Sequence, residues 1–289
     1  MKILVTGSDG QLGQTFKYNI SKNYKYYFAN KNDLNLLNIE TISNFLDRIN
    51  PNIIINCAAY TSVDEAERER ELAFAINHHA VKAISQWAYI NKSFLIHFST
   101  DYVFDGKEEF YYENDITNPL SVYGKSKLYG ENSFLDSNAK GICIRTSWVH
   151  SNYGKNFFLT MKNLFLNNKT IKVINDQKGI PTTTDFLVKK THQLIYLYSK
   201  EIELPKMLHV CPCGYTTWYD FALFIYKNLK KDKSLKLRCK NIEHVNSENF
   251  PQIAKRPKSS ILSNKKLMEL IKSKLNNWSD EHTKLYKGL

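Results

Sequence analysis

Directly after a short β-branched run, KILVT (2–6), the chain sets Gly7, Gly10 and Gly13 three apart in VTGSDGQLG and then turns helical. No other feature constrains the fold as strongly as this strand, glycine turn and helix in succession. Gly7 permits the tight turn, Gly10 lets backbone approach a pyrophosphate, and Gly13 lets the helix pack close to the sheet. The free N–H groups at the helix start, in the turn that also holds Gln11 and Leu12, would face the anion. The bland alternative is a tight turn with no ligand. A bare glycine triplet would not decide between them, but its place between strand and helix favours dinucleotide binding.

The first half continues in the same alternation. Strand-like runs occupy 24–30, 52–59, 93–100 and 141–149, and helical patterns occupy 10–20, 41–50, 64–92 and 122–136. The 64–92 helix starts acidic, as the helix dipole favours, and its Glu65–Glu71 charge run reads as an exposed face. Such alternation implies parallel strands joined by right-handed crossovers. The fold class expected is therefore α/β, a doubly wound parallel sheet of Rossmann type, with a smaller C-terminal substrate lobe. After about residue 148 the texture changes to Pro-, Gly- and Thr-containing loops such as NDQKGIPTTTD (175–185) and CPCGYTTWYD (211–220). This divides the chain into a dinucleotide-binding domain, 1–147, and a mainly substrate-binding lobe, 148–289, from which some segments return to the first. A cleft at the join is the default ligand site.

Composition narrows the partners. No apolar run approaches the roughly 20 residues that span a bilayer, and the N-terminus lacks the pattern of an export signal, so a cytoplasmic protein is expected. Cys57 and Cys143 sit in apolar runs as small hydrophobes. Cys211, Cys213 and the nearby His209 do not complete a tetrahedral metal site. The 289 residues carry a net charge of +12. The basic residues are scattered and not clustered with stacking aromatics, which argues against nucleic acid and leaves phosphate-bearing small molecules.

The second strand, ending in FANKND, bears on the coenzyme. A basic residue there accommodates the extra phosphate of NADP, whereas an acidic one binds the ribose of NAD. Lys31 precedes Asp33, which points to NADPH, with NADH as the alternative.

In SVYGKSKLYGE (121–131), Tyr123 and Lys127 lie four apart at an apparent helix start. The spacing alone carries little, because Tyr18/Lys22, Tyr27/Lys31, Tyr196/Lys200 and Tyr226/Lys230 repeat it. The surroundings promote Tyr123. Upstream, HFSTDYVFDG ends a strand with Ser99, Thr100 and Asp101, and ligands of such folds bind at the carboxyl ends of strands. An ammonium beside a phenol lowers its pKa, and the phenol could then protonate an alkoxide formed by hydride transfer from a nicotinamide.

The glycine turn, in its G-x-x-G-x-x-G form, Ser-Thr-Asp and Tyr-x-x-x-Lys, in this order, resemble an extended short-chain dehydrogenase/reductase. STDYVFDG, NPLSVYGKSKLYGE, RTSWV, VINDQKGIPT, TTWYDFA and KRPKSS together resemble the dTDP-4-dehydrorhamnose reductase family, over residues 1 to about 263. The resemblance implies reduction of the 4-keto group of dTDP-4-dehydro-L-rhamnose, with Thr100, Tyr123 and Lys127 catalytic, Tyr123 and Lys127 also against the cofactor, and Lys127 on the nicotinamide ribose. It places Ala58, Ala59 and Tyr60 against the cofactor, and Asp101, Tyr102 and Trp148 on the substrate side. Arg256 falls near the nucleotide-sugar end, where a guanidinium would suit a diphosphate. Trp148 as core, Arg256 as a surface cation, and Asn77 as either a water-mediated support of Lys127 or an ordinary helix-face amide are the competing assignments. The resemblance also admits a homodimer and a magnesium ion, for which the sequence offers no ligand pattern.

Two other functions compete. An epimerase or 4,6-dehydratase would keep NAD bound, but dehydratases of this superfamily carry Thr-Asp-Glu where this chain has Thr100-Asp101-Tyr102. A non-catalytic dinucleotide-binding regulator would not need the Thr/Tyr/Lys set.

Overall fold

The computed structural model describes residues 1–288. The first half forms β1 (Lys2–Thr6), α1 (Gln11–Tyr18), β2 (Lys25–Ala29), α2 (Ile39–Ile49), β3 (Ile53–Asn56), α3 (Val63–Ala66), α4 (Arg70–Phe74), α5 (Ala80–Ile90), β4 (Phe94–Thr100), α6 (Val122–Asp136) and β5 (Gly141–Thr146). The second half adds β6 (Val149–His150), α7 (Phe157–Asn167), β7 (Thr170–Ile174), β8 (Lys178–Gly179), β9 (Thr182–Thr183), α8 (Thr184–Ser199), β10 (Met207–His209), β11 (Thr216–Thr217), α9 (Trp218–Leu229), β12 (Asn241–Val245), α10 (Lys265–Ile271) and α11 (Trp278–Thr283).

Six strands make an all-parallel sheet in the order β10-β5-β4-β3-β1-β2. Strands covered by helices on both faces need apolar side chains on both, and the Ile-Ile-Ile of β3 is fully buried. The chain turns one way from β1 to β2 and the other way to β3. The crevice between the carboxyl ends of β1 and β3 is therefore the switch point at which doubly wound sheets bind ligands.

A second core gathers Phe158, Phe165, Phe221 and Ile225. The segment after β4 crosses into it, contributing Val103, Phe104 and Tyr111. Traffic also runs the other way. From the second half, α8 places Phe186, Leu187 and Leu194 in the core under the main sheet, and β10 pairs with β5 as the edge strand.

Two elements differ from the sequence expectation. The pattern over 64–92 is not one helix: α3 and α4 are separated by a break, and a π-helical turn, Ala75–His79, joins α4 to α5. Glu67, in the break, turns its carboxylate to the Val122 N–H (2.8 Å). The 141–149 strand stops at Thr146 because Trp148 takes a left-handed backbone (φ +45°). Val149 and His150 then pair with β9 outside the main sheet.

Candidate active site

The glycine turn is shaped by contact. Gly7 has φ +62°, and a Cβ there would lie 2.6 Å from Ala58 Cα. A Cβ on Gly13 would lie 2.4 Å from the Gly7 carbonyl oxygen. The first helical bond of α1 runs from Gln14 N–H to Gly10 O (2.9 Å). The amides of Gln11, Leu12 and Gly13 therefore precede the intrahelical ladder, where an anion can take them. The Gln11 side chain turns away, accepting from Ser151 Oγ (3.1 Å) and Asn156 Nδ2 (2.8 Å).

A cavity of about 640 Å³ runs from Gly7 and Gly10 past Ala29–Asn32 to Ala58 and Ala59. Lys31 lines it and is exposed. Asp33 instead turns its carboxylate to the Asn30 N–H (3.0 Å). The residues present thus suit a dinucleotide with an added phosphate: free amides at a helix start, a glycine cradle and a cation beyond β2. Tyr60 stands apart from this cavity lining. Its backbone N–H donates to Asn77 Oδ1, its carbonyl accepts from Asn77 Nδ2 (both 2.9 Å), and its phenol donates to Glu69 (2.6 Å).

Thr100, Asp101 and Tyr102 follow at the carboxyl end of β4. The Ser121 hydroxyl caps α6 by accepting from Gly124 N–H (3.1 Å). Glu67 takes the Val122 amide, putting negative charge at the positive end of the helix dipole. Gly124 has no room for a side chain, since a Cβ would lie 2.3 Å from Tyr102 O. The first turn of α6 thereby rests on the segment after β4. It brings the partly buried Tyr123 phenol to the Thr100 hydroxyl and edge-on to the Tyr102 ring (centroids 5.9 Å, 75°).

Burial pushes the Tyr123 phenol up to about 12, against the pull of the Thr100 hydroxyl. This differs from the sequence expectation, in which Lys127 lowers it. Lys127 is buried one turn further on, and its Nζ donates to Phe98 O (2.6 Å). Burial brings its ammonium down to about 8, which leaves it mostly charged at neutral pH. Asp101 is buried as well, accepts from Thr100 Oγ1 (3.0 Å), and is raised to about 7 by burial.

The Asn77 amide makes its direct hydrogen bonds to Tyr60 and Ser126. It braces Tyr60 and donates to Ser126 Oγ (3.0 Å), whose hydroxyl donates to Tyr123 O (2.8 Å). The π turn, a local irregularity often found at functional sites, thus joins the turn after β3 to α6. Trp148 stacks on Trp218 (3.4 Å between centroids, 5°) against Gly179, where a Cβ would meet its ring at 2.3 Å. Arg256 is bound to Asp64 (2.7 Å) and lies beside the Tyr102 phenol. It was assigned from sequence to the diphosphate, yet its guanidinium is engaged by protein groups.

Sequence reasoning missed Asp64, Glu67 and the buried pair Arg145–Glu131 (2.7 Å) that ties β5 to α6. The acidic helix start at 64–71 was the only signal for the first two. Among the described residues, no group of three or more His, Cys, Asp or Glu is placed to hold a metal ion, and no helix is long and apolar enough to cross a membrane.

The family model described as the RmlD substrate binding domain matches residues 1–289. The chain is 34% identical to the dTDP-4-dehydrorhamnose reductase of Aggregatibacter actinomycetemcomitans, covering 96% of this chain and 95% of that one. It superposes on the dTDP-4-dehydrorhamnose reductase of Bacillus anthracis, solved in complex with NADP, with a TM-score of 0.91 at 32% identity, covering 100% and 99% of the two chains. A second solved reductase, from Clostridium acetobutylicum, gives 0.90 at 34% identity over 99% of each chain.

Proposed function

The chain belongs to the RmlD substrate binding domain family of dTDP-4-dehydrorhamnose reductases, and from that premise we propose that it reduces dTDP-4-dehydro-L-rhamnose at C4 to dTDP-L-rhamnose, consuming NADPH. The observation that carries the reading is the Tyr123 phenol set beside the Thr100 hydroxyl at the carboxyl end of β4, one helical turn from buried Lys127.

NADPH supplies the hydride. The amides of Gln11, Leu12 and Gly13 take its pyrophosphate. Lys31 faces the 2′-phosphate, and Gly7, Gly10, Ala58 and Ala59 form the walls. The Thr100 hydroxyl holds the sugar carbonyl oxygen. Tyr123, whose phenol keeps its proton at neutral pH, passes that proton to the alkoxide as it forms. Lys127, mostly charged one helical turn further on, offers its ammonium to the nicotinamide ribose. Asp101, Tyr102 and Trp148 face the sugar. Tyr60 serves through its backbone, which sets the turn after β3.

In this reading residues 1–147 bind the dinucleotide and 148–289 mainly the sugar nucleotide, with α8 and β10 serving the first lobe. The enzyme works in the cytoplasm on a dTDP-linked sugar, without nucleic acid. Purified protein, NADPH and dTDP-4-dehydro-L-rhamnose should give a product two hydrogens heavier and one NADPH consumed per product. Conversion of the sugar with no added reductant would instead mark an epimerase or dehydratase with retained NAD.

A further inference from the structure

Asp64 lies in α3, on the rim of the first lobe, and has no part in the reaction above. Four hydrogen bonds converge on its carboxylate, all from one strap of the second lobe. Oδ1 accepts from the N–H groups of Ile253 (3.2 Å) and Ala254 (3.0 Å) and from Arg256 Nη1 (3.1 Å); Oδ2 accepts from Arg256 Nη2 (2.7 Å). The strap follows β12. Its near end is pinned by Ser247, whose N–H and Oγ donate to the two carboxylate oxygens of Asp176 (2.9 and 2.8 Å). Between these anchors Phe250 and Ile253 are exposed. The guanidinium also donates to Ala254 O (3.1 Å) and lies beside the Tyr102 phenol. One carboxylate thus joins the first lobe, the strap, and the ring that stands edge-on to Tyr123.

We propose that Asp64 is a positioning residue: it latches the strap 246–256 to the first lobe and, through Arg256, sets Tyr102 against the sugar nucleotide. The proposal rests on the ketoreductase reading for its substrate. A forked, two-point ion pair together with two backbone amides is a geometry that neither a lysine nor an asparagine reproduces. With three of its five N–H donors given to Asp64 and Ala254, Arg256 acts in this reading as the clasp of the latch and not as a diphosphate ligand.

Asp64→Asn, Arg256→Gln and the double variant test this. Each single variant should raise KM for the dTDP-keto sugar by roughly tenfold or more, with kcat and the KM for NADPH nearly unchanged. The double variant should be no worse than the poorer single one, as two halves of one interaction require. Brief trypsin treatment should cut after Lys255 faster in every variant, a readout independent of activity. The latch is overturned if Asp64→Asn keeps wild-type KM and cleavage while Arg256→Gln alone loses affinity for dTDP, which would make Arg256 a diphosphate ligand. Additive losses in the double variant overturn it too. If wild-type protein does not turn over the keto sugar yet the variants share faster cleavage, the latch stands and the substrate assignment fails.

Discussion

Tyr123 has to keep its proton until the sugar oxygen demands it, and burial does that by raising the phenol to about 12. Asp101, two bonds of the same network away, is raised by the same cause from 3.8 to about 7, against the pull of Ser260 and Thr100. The folded chain thus holds this proton more tightly than the unfolded one, so stability is lost as pH rises from about 4 to about 7. Asp101→Asn should therefore be more stable than wild type above neutrality, by up to about 4 kcal/mol at roughly 1.4 kcal/mol per pH unit. The gain should vanish toward pH ~4. Urea unfolding at both ends of that range checks it, and a pH-independent difference would contradict it. Lys31 makes a second prediction: Lys31→Ala should raise KM for NADPH about tenfold, as loss of a charge-assisted bond would, and leave KM for NADH nearly unmoved. Steady-state kinetics with both coenzymes decide. Residues whose chemistry lies in their immediate neighbours, such as Thr100 and Tyr123, were legible in the sequence. Asp64 was not, because its partners are 189, 190 and 192 positions away and nothing local distinguishes it from other acids at a helix start.

Among the elements, α6 carries the site, and its bounds, Val122–Asp136, coincide with the run read from the sequence. Its seat on β5 depends on the Glu131 carboxylate, which accepts from Arg145 Nε (2.9 Å) and Nη2 (2.7 Å) with both side chains buried. Glu131→Gln leaves the guanidinium buried without its paired carboxylate. It should cost about 3–5 kcal/mol, read as a lower urea midpoint with the slope unchanged; a midpoint equal to wild type would show that the pair does not hold the helix. The run over 64–92 was misread as one helix for a physical reason. Its helical periodicity is real, but the break at Glu67 and the π turn at Asn77 are tied to distant backbone, at Val122 and Tyr60. Local pattern cannot report such bonds. The same holds for the strand that ends at Thr146, where the left-handed Trp148 is stacked on Trp218, 70 residues later in the chain.

At the scale of the whole molecule there are two large apolar cores, and the chain crosses between them in both directions. The α/β alternation of the first 146 residues made the parallel sheet legible, since each strand and helix announces itself by its own period. The edge strand β10 was not, because three residues, Met207–His209, carry too little pattern to announce a strand. What the sheet, the crossing segment after β4 and the seat of α6 accomplish together is to hold one phenol beside one hydroxyl at the carboxyl end of the sheet. The most direct test follows NADPH oxidation in a single turnover, with wild-type and Tyr123→Phe protein preloaded with NADPH and mixed with dTDP-4-dehydro-L-rhamnose. The phenylalanine variant should bind NADPH as wild type does and react about 10²–10⁴-fold more slowly, the usual worth of a positioned acid. A variant that reacts at the wild-type rate would mean that the proton comes from elsewhere.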